Sequence, residues 1–177
     1  MNSTTVIAAL RSADDLEYAL ASKVSNIFML SCNISEIGEQ IRRAHENGKK
    51  LFVHLDLAEG IGKDEYGIRF LKECGVDGII STRTGLIKLA KKVGVFTVQR
   101  FFIVDSQSVQ TTLESLKSSH ADMIEIMPGT VIKVIKRLKR ELGMPIVAGG
   151  LIESLSEIND ALESGASAVS TGKKEFW

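Results

Sequence analysis

Hydrophobic positions along the chain follow two alternating rhythms. Short apolar or β-branched runs recur at residues 5–10, 26–31, 51–56, 78–83, 95–101, 123–127, 146–148 and 168–171, each the length of a buried strand. Between them lie amphipathic stretches at 12–21, 35–46, 64–74, 86–93, 106–118, 130–142 and 154–164. Several open on a capping residue and close near a glycine, as at Gly48, Gly75, Gly94, Gly143 and Gly165. Such alternation predicts βα units around a parallel sheet.

Eight such units close into a single (β/α)8, TIM-barrel-like domain spanning residues 1–177. The chain is compact for that fold, which typically takes about 250 residues. Only GlyLysLysGluPheTrp follows the last strand, so the eighth helix is expected to be missing or reduced to a stub. An open doubly wound sheet is the rival arrangement, since it needs no closing strand.

Strand parity selects side chains for the interior. In the third strand, Leu51, Val53 and Leu55 share one face and Phe52, His54 and Asp56 the other. The apolar set is expected against the helices, leaving His54 and Asp56 inward. The same test turns Thr97 and Gln99 inward against outward Phe96 and Val98, and turns Glu125 inward between Ile124 and Ile126. It also allows Ser81 and Arg83 together. Ligand sites of this fold lie at the C-terminal strand ends, which makes Asp56, Arg83, Gln99 and Glu125 candidates. The alternative is a buried, mutually satisfied network in which Arg83 neutralises Asp56 or Glu125. His54 reads as a core residue rather than a base.

The adjacent glycines of MetProIleValAlaGlyGlyLeuIle, at 144–152, follow the seventh strand, and the eighth ends in AlaValSerThrGly. Loops after strands seven and eight commonly build a phosphate site, and glycine lets backbone N–H groups approach an anion. A small phosphorylated ligand is therefore expected at Gly149, Gly150, Ser170, Thr171 and Gly172, with Gly129 in a third close-approach loop. A tight strand-to-helix turn is the other reading of the glycine pair.

Composition narrows the function classes. Hydrophobic residues at 44% and charged residues at 25% describe an ordinary globular domain. Twenty-two acidic and 22 basic residues cancel, so any nucleic-acid contact has to use a local patch. The basic run LysValIleLysArgLeuLysArg offers one, with Lys133, Lys136, Arg137 and Arg140 on a broad helix face; an ordinary solvated face is the alternative. Cys32 and Cys74 have no disulfide or metal-ligand spacing, and no basic region leads a long apolar run, so a reducing cytoplasmic location is expected. HExxH, GxSxG and an upper-strand lysine suited to a Schiff base are absent from the sequence. No catalytic residue, metal ligand or cofactor is therefore expected.

Several segments together resemble the glycerol-responsive transcription antiterminator family, the glycerol uptake operon regulators of bacteria. They are HisLeuAspLeuAlaGluGlyIleGlyLysAspGluTyrGly (54–67), GlyIleIleSerThrArg (78–83), GlnArgPhePheIleValAsp (99–105), IleGluIleMetProGly (124–129), IleValAlaGlyGlyLeuIle (146–152) and SerThrGlyLysLysGluPheTrp (170–177). The likeness runs along essentially the whole chain. It implies a barrel that binds glycerol 3-phosphate as an effector and acts on the leader mRNA of glycerol operons, letting polymerase pass a terminator. Asp56, Glu59, Arg83, Gln99, Arg100, Glu125, Gly149, Gly150, Ser170 and Thr171 fall in the matching motifs. With aromatics at only 6%, RNA recognition by shape or by a homodimer is expected over base stacking. The runner-up is a small barrel enzyme on a phosphorylated metabolite, an isomerase, epimerase or aldolase with Asp56 or Glu125 as base.

Overall fold

The computed structural model describes residues 5–177. Among these residues, strands and α-helices alternate as β1 (Val6–Leu10), α1 (Leu16–Ala21), β2 (Asn26–Met29), α2 (Ile37–Glu46), β3 (Lys50–His54), α3 (Glu65–Glu73), β4 (Gly78–Ser81), α4 (Thr84–Val93), β5 (Phe96–Phe102), α5 (Ser106–Ser119), β6 (Met123–Met127), α6 (Ile132–Leu142), β7 (Ile146–Gly149), α7 (Leu155–Glu163) and β8 (Ala168–Thr171). The eight strands pair in parallel, in chain order, as a closed barrel. β8 closes on β1 through Val6↔Val169, Ile7↔Ser170 and Ala8↔Thr171. A 3-10 turn at Lys174–Phe176 stands in place of an eighth helix.

Local chemistry explains the element ends. Asp64 accepts a hydrogen bond from the Gly67 amide at 2.9 Å and starts α3, and reciprocal capping boxes start α5 at Asp105 and α7 at Ser154. Gly94 and Gly143 end α4 and α6 in the left-handed region, where a Cβ is unfavourable.

Ile7, Phe28, Ile80, Val98 and Val147 pack together inside the barrel, with Leu30, Phe52, Met123 and Ala168 against them. Phe52 makes edge-to-face contacts with Phe28 and Phe96 at 5.4 and 6.1 Å. The opposite parity feeds two layers between strands and helices. One gathers Ala8, Ile27, Leu51 and Ile79; the other gathers Ile124, Ile126, Ile146 and Ala148.

This layering corrects the parity expected for β5. Val98 is interior, so Thr97 and Gln99 face the helices. The Thr97 hydroxyl donates to Asp122 at 2.8 Å, and Gln99 Nε2 donates to the Thr84 hydroxyl at 3.0 Å. Thr97 thus finds its partner in the outer layer and Gln99 is held there through Nε2, its Oε1 having no hydrogen-bond partner among the described residues, while the barrel interior beside Val98 is apolar. Among the strand boundaries that shift, two bear on candidate residues. β3 stops at His54 and a 3-10 turn carries Asp56, while β4 stops at Ser81, leaving Arg83 as the residue capping α4.

Candidate functional site

A cleft of about 340 Å³ opens where β7 and β8 meet β1, at the C-terminal rim. Its floor is built by register. Arg100 on β5 lies directly opposite Glu125 on β6, and the Arg100 Nε donates to Glu125 Oε2 at 2.6 Å. The Ser170 hydroxyl on β8 donates to the other oxygen, Oε1, also at 2.6 Å. All three side chains are buried. Pairing and bonding both charges is what makes that burial tolerable.

The carboxylate of Glu125 thus reaches from β6 to β8 across β7, a span of two strand spacings, about 9.6 Å. Gly149 occupies the crossing point, paired in register with Ser170. A Cβ there would overlap Ser170 Oγ and stand 2.5 Å from Glu125 Oε1. The first glycine of the pair therefore makes room for the protein's own carboxylate. Its neighbour, Gly150, lines the cleft at φ 74°, and a Cβ there would stand 2.6 Å from Met127 Cε. Leu151 follows at φ 57° with its side chain exposed.

Of the residues proposed from sequence, Arg100, Glu125, Gly150, Ser170, Thr171 and Gly172 share this cleft. Gly149 lies beneath it. Gly129 lies behind it, donating its N–H to the Gly150 carbonyl at 2.9 Å, with its own missing Cβ space closed by the Gly149 backbone. The Thr171 hydroxyl donates to the Ile152 carbonyl at 3.1 Å and accepts from the Lys173 amide at 3.2 Å. Its visible role is to join the eighth strand end to the preceding loop.

Asp56, Glu59, Arg83 and Gln99 stand outside the cleft lining. Asp56 ties β3 to the loop after β4, accepting from the Ser81 hydroxyl at 2.7 Å and from the Thr82 amide and hydroxyl at 2.8 and 2.7 Å. Burial alone would raise its pKa. The nearby His54 Nε2, at 3.5 Å, and the Thr82 and Ser81 donors outweigh that effect and hold the carboxyl well below the usual range. Arg83 is exposed, 3.9 Å from the same carboxylate. Glu59 belongs to a loop bridge with Asn33. His54 is buried, and its two ring nitrogens make no hydrogen bond of good geometry. Cys32 is also buried, and that burial, against the field of Lys63, pushes its thiol up to about 11.

Sequence reasoning missed the mouth of the cleft. Arg11, Asp15, Glu153 and Lys173 line it. Asp15 is held by Lys174 at 2.6 Å and Lys173 approaches Glu153 at 3.8 Å. Arg11 is exposed and has no ion pair among the described residues. A polar residue just past a strand end was the only signal available for it.

On α6, Ile135 and Leu138 are buried while Lys133, Lys136, Arg137 and Arg140 are exposed. Arg137 donates to Glu141 at 2.8 Å. The outer face of this helix is thus basic. No helix among the described residues is long and apolar enough to cross a membrane, and no group of three or more His, Cys, Asp or Glu side chains there is placed to hold a metal ion.

Closed barrel, buried polar floor and charged mouth define a (β/α)8 protein with a cleft of small-molecule size at its C-terminal rim. Across residues 6–177 the sequence matches the model of the glycerol-3-phosphate responsive antiterminator family, and the chain belongs to that family. A crystal structure of the glycerol uptake operon antiterminator regulatory protein from Listeria monocytogenes is similar at a TM-score of 0.93. It is 33% identical, with 100% of this chain and 96% of that one covered. An antiterminator-related protein from Thermotoga maritima gives a TM-score of 0.88 and 31% identity, with 98% of each chain covered. Uncharacterised YgcP from Escherichia coli is 36% identical over 173 residues, 97% of this chain and 91% of that protein. A deoxyribose phosphate aldolase from Aeropyrum pernix, at 16% identity and a TM-score of 0.73, covers 98% of this chain and 87% of its own; this likeness shows the barrel fold alone.

Proposed function

We propose that this protein is a cytoplasmic RNA-binding antiterminator that takes glycerol 3-phosphate as its effector and acts on leader mRNA of glycerol-utilisation operons. The family supports the effector class. The observation that carries the reading is the cleft itself, in which buried Arg100, Glu125 and Ser170 meet the glycine-bearing rim at Gly150 and Gly172. Such a site suits a small molecule with a polar body and an anionic end. The exposed basic face of α6, from Lys133 to Arg140, is the surface we assign to RNA phosphates.

Effector control requires different affinities of the ligand for the RNA-competent and RNA-incompetent states. The loops after β7 and β8 form the cleft wall, so ligand binding there is placed to bias their arrangement. No bond in the effector has to break. Two features favour sensing over turnover: Lys50, at the base of β3, is the one lysine in the described strands, and Glu125 is already engaged by Arg100 and Ser170.

The test is a gel-shift titration against a glycerol-operon leader RNA with and without glycerol 3-phosphate, using glycerol and a scrambled RNA as controls. Ligand-dependent, leader-selective binding is expected. Sedimentation of the complex reads whether a homodimer binds. Unchanged RNA affinity at saturating ligand refutes the switch, and consumption of glycerol 3-phosphate on long incubation replaces it with an enzyme of phosphorylated metabolites.

A further inference from the structure

We infer that the cleft binds its ligand in one orientation, with the phosphate at the mouth beside Arg11 and the polyol end on the Arg100–Glu125–Ser170 floor. The inference rests on the glycerol 3-phosphate reading and adds which end goes where and what the site rejects.

Charge decides the first half. The cleft is lined by the cations Arg11, Arg100 and Lys173 and the anions Asp15, Glu125 and Glu153. Arg100 is matched to Glu125 at 2.6 Å, and Lys173 faces Glu153 at 3.8 Å. Asp15 is matched from outside the lining by Lys174 at 2.6 Å. Arg11 is left as the cation without an ion pair among the described residues. The mouth therefore carries the uncompensated positive charge, whereas the floor is neutral and holds a buried carboxylate. A phosphate dianion set against that carboxylate would meet like charge in a low-dielectric pocket.

Hydrogen-bonding capacity decides the second half. Each oxygen of Glu125 accepts one bond from the protein, at 2.6 Å from Arg100 and from Ser170, and each retains a further lone pair. Ser170 spends its proton on Glu125, so its oxygen is left as an acceptor. Arg100 commits Nε to Glu125, leaving its terminal amino groups as donors. Acceptors and donors side by side match vicinal hydroxyls, each of which both donates and accepts. A carboxylate in the same place has no proton for Glu125 and adds a negative charge. The site therefore distinguishes a phosphorylated polyol from a phosphorylated hydroxy acid of the same length.

Calorimetric titration of the full chain with glycerol 3-phosphate, propyl phosphate, 3-phosphoglycerate and inorganic phosphate tests both halves. Arg11→Gln is expected to weaken all the phosphorylated probes by a common factor, roughly tenfold, leaving the preference for glycerol 3-phosphate over propyl phosphate intact. Glu125→Gln is expected to erase that preference and to spare inorganic phosphate; Ser170→Ala reads the same ratio if Glu125→Gln fails to fold. Equal affinity of the wild type for 3-phosphoglycerate and glycerol 3-phosphate overturns the inference. So does tight glycerol 3-phosphate binding that is indifferent to Arg11. Failure of every phosphorylated probe to bind the wild type removes the glycerol 3-phosphate reading itself.

Discussion

Gly149 gives a direct test of what the glycine pair is for. A methyl group at this position would overlap Ser170 Oγ and stand 2.5 Å from Glu125 Oε1. Neither neighbour has room to retreat, because Ser170 and Glu125 are only 2% and 1% exposed. Displacing the serine forfeits a hydrogen bond to a buried carboxylate, worth about 1.5–3 kcal/mol. Shifting the carboxylate instead strains its pairing with Arg100, and overpacking of this kind costs about 1–3 kcal/mol. Whichever neighbour yields, Gly149→Ala should therefore destabilise the fold by roughly 1–3 kcal/mol, a fall in melting temperature on the order of 5 °C for a chain of this size.

Urea unfolding followed by circular dichroism measures this, and the double variant with Ser170→Ala isolates the cause. Removing Oγ relieves the nearer of the two overlaps and leaves the one with Glu125 Oε1, so the double variant should be more stable than the summed single effects by about 1 kcal/mol. The reasoning is refuted if Gly149→Ala stays within about 0.5 kcal/mol of wild type while glycerol 3-phosphate affinity collapses. The glycine would then exist for the ligand.

Arg100→Met leaves Glu125 as an unpaired buried charge and should cost about 3–5 kcal/mol, most of it recovered when Glu125→Gln is added; urea midpoints check this. Asp56→Asn keeps one acceptor oxygen and sets an amide N–H₂ against the donors on the other side, the Ser81 hydroxyl or the Thr82 amide and hydroxyl, and should cost about 2–3 kcal/mol at pH 7. Because the folded pKa of Asp56 lies below its unfolded value, its stabilisation is complete above about pH 4 and fades as pH falls further. The gap between wild type and Asp56→Asn should therefore narrow at pH 3. Trp177→Ala removes the indole N–H bond to the Thr171 carbonyl at 2.9 Å together with half-buried ring packing. About 2 kcal/mol is the expected loss, read by thermal melts.

Periodicity carried most of the fold. Eight β-branched or apolar runs with glycine-ended helices between them are enough to specify βα units, and the strands lie where those runs lie. The failure on β5 is instructive. Thr97 and Gln99 have the composition of interior polar residues, but their partners are Asp122 and Thr84, which lie 25 and 15 residues away. Local pattern holds no record of such partners. Asp56 went astray for a related reason: a single 3-10 turn after His54 re-aims the side chain away from the barrel axis toward β4. The glycine pair was legible as a close approach, but whether a ligand or a side chain does the approaching depends on Glu125, which lies on the adjacent strand. Arg11 carries no motif at all. Closure of β8 on β1 is what places it in the same cleft as Gly172.

The reduced eighth helix has its own effect on the cleft. With only a 3-10 turn after β8, the tail has to cover the seam where the barrel closes. Trp177 packs on the hydrophobic layer that includes Ala8 and Leu16, and Phe176 packs on the layer that includes Val169 and Ile158, so two consecutive side chains bridge what a whole helix would span. Lys174 adds the ion pair with Asp15 and lies 3.9 Å over the Tyr18 ring. The same tail is tied to the ligand cleft through Thr171, whose carbonyl takes the indole N–H and whose hydroxyl holds Ile152. Asp15 joins the two regions a second time, lining the cleft mouth while binding the tail. Cleft wall and seam cover are therefore one bonded unit, joined at Thr171 and at Asp15.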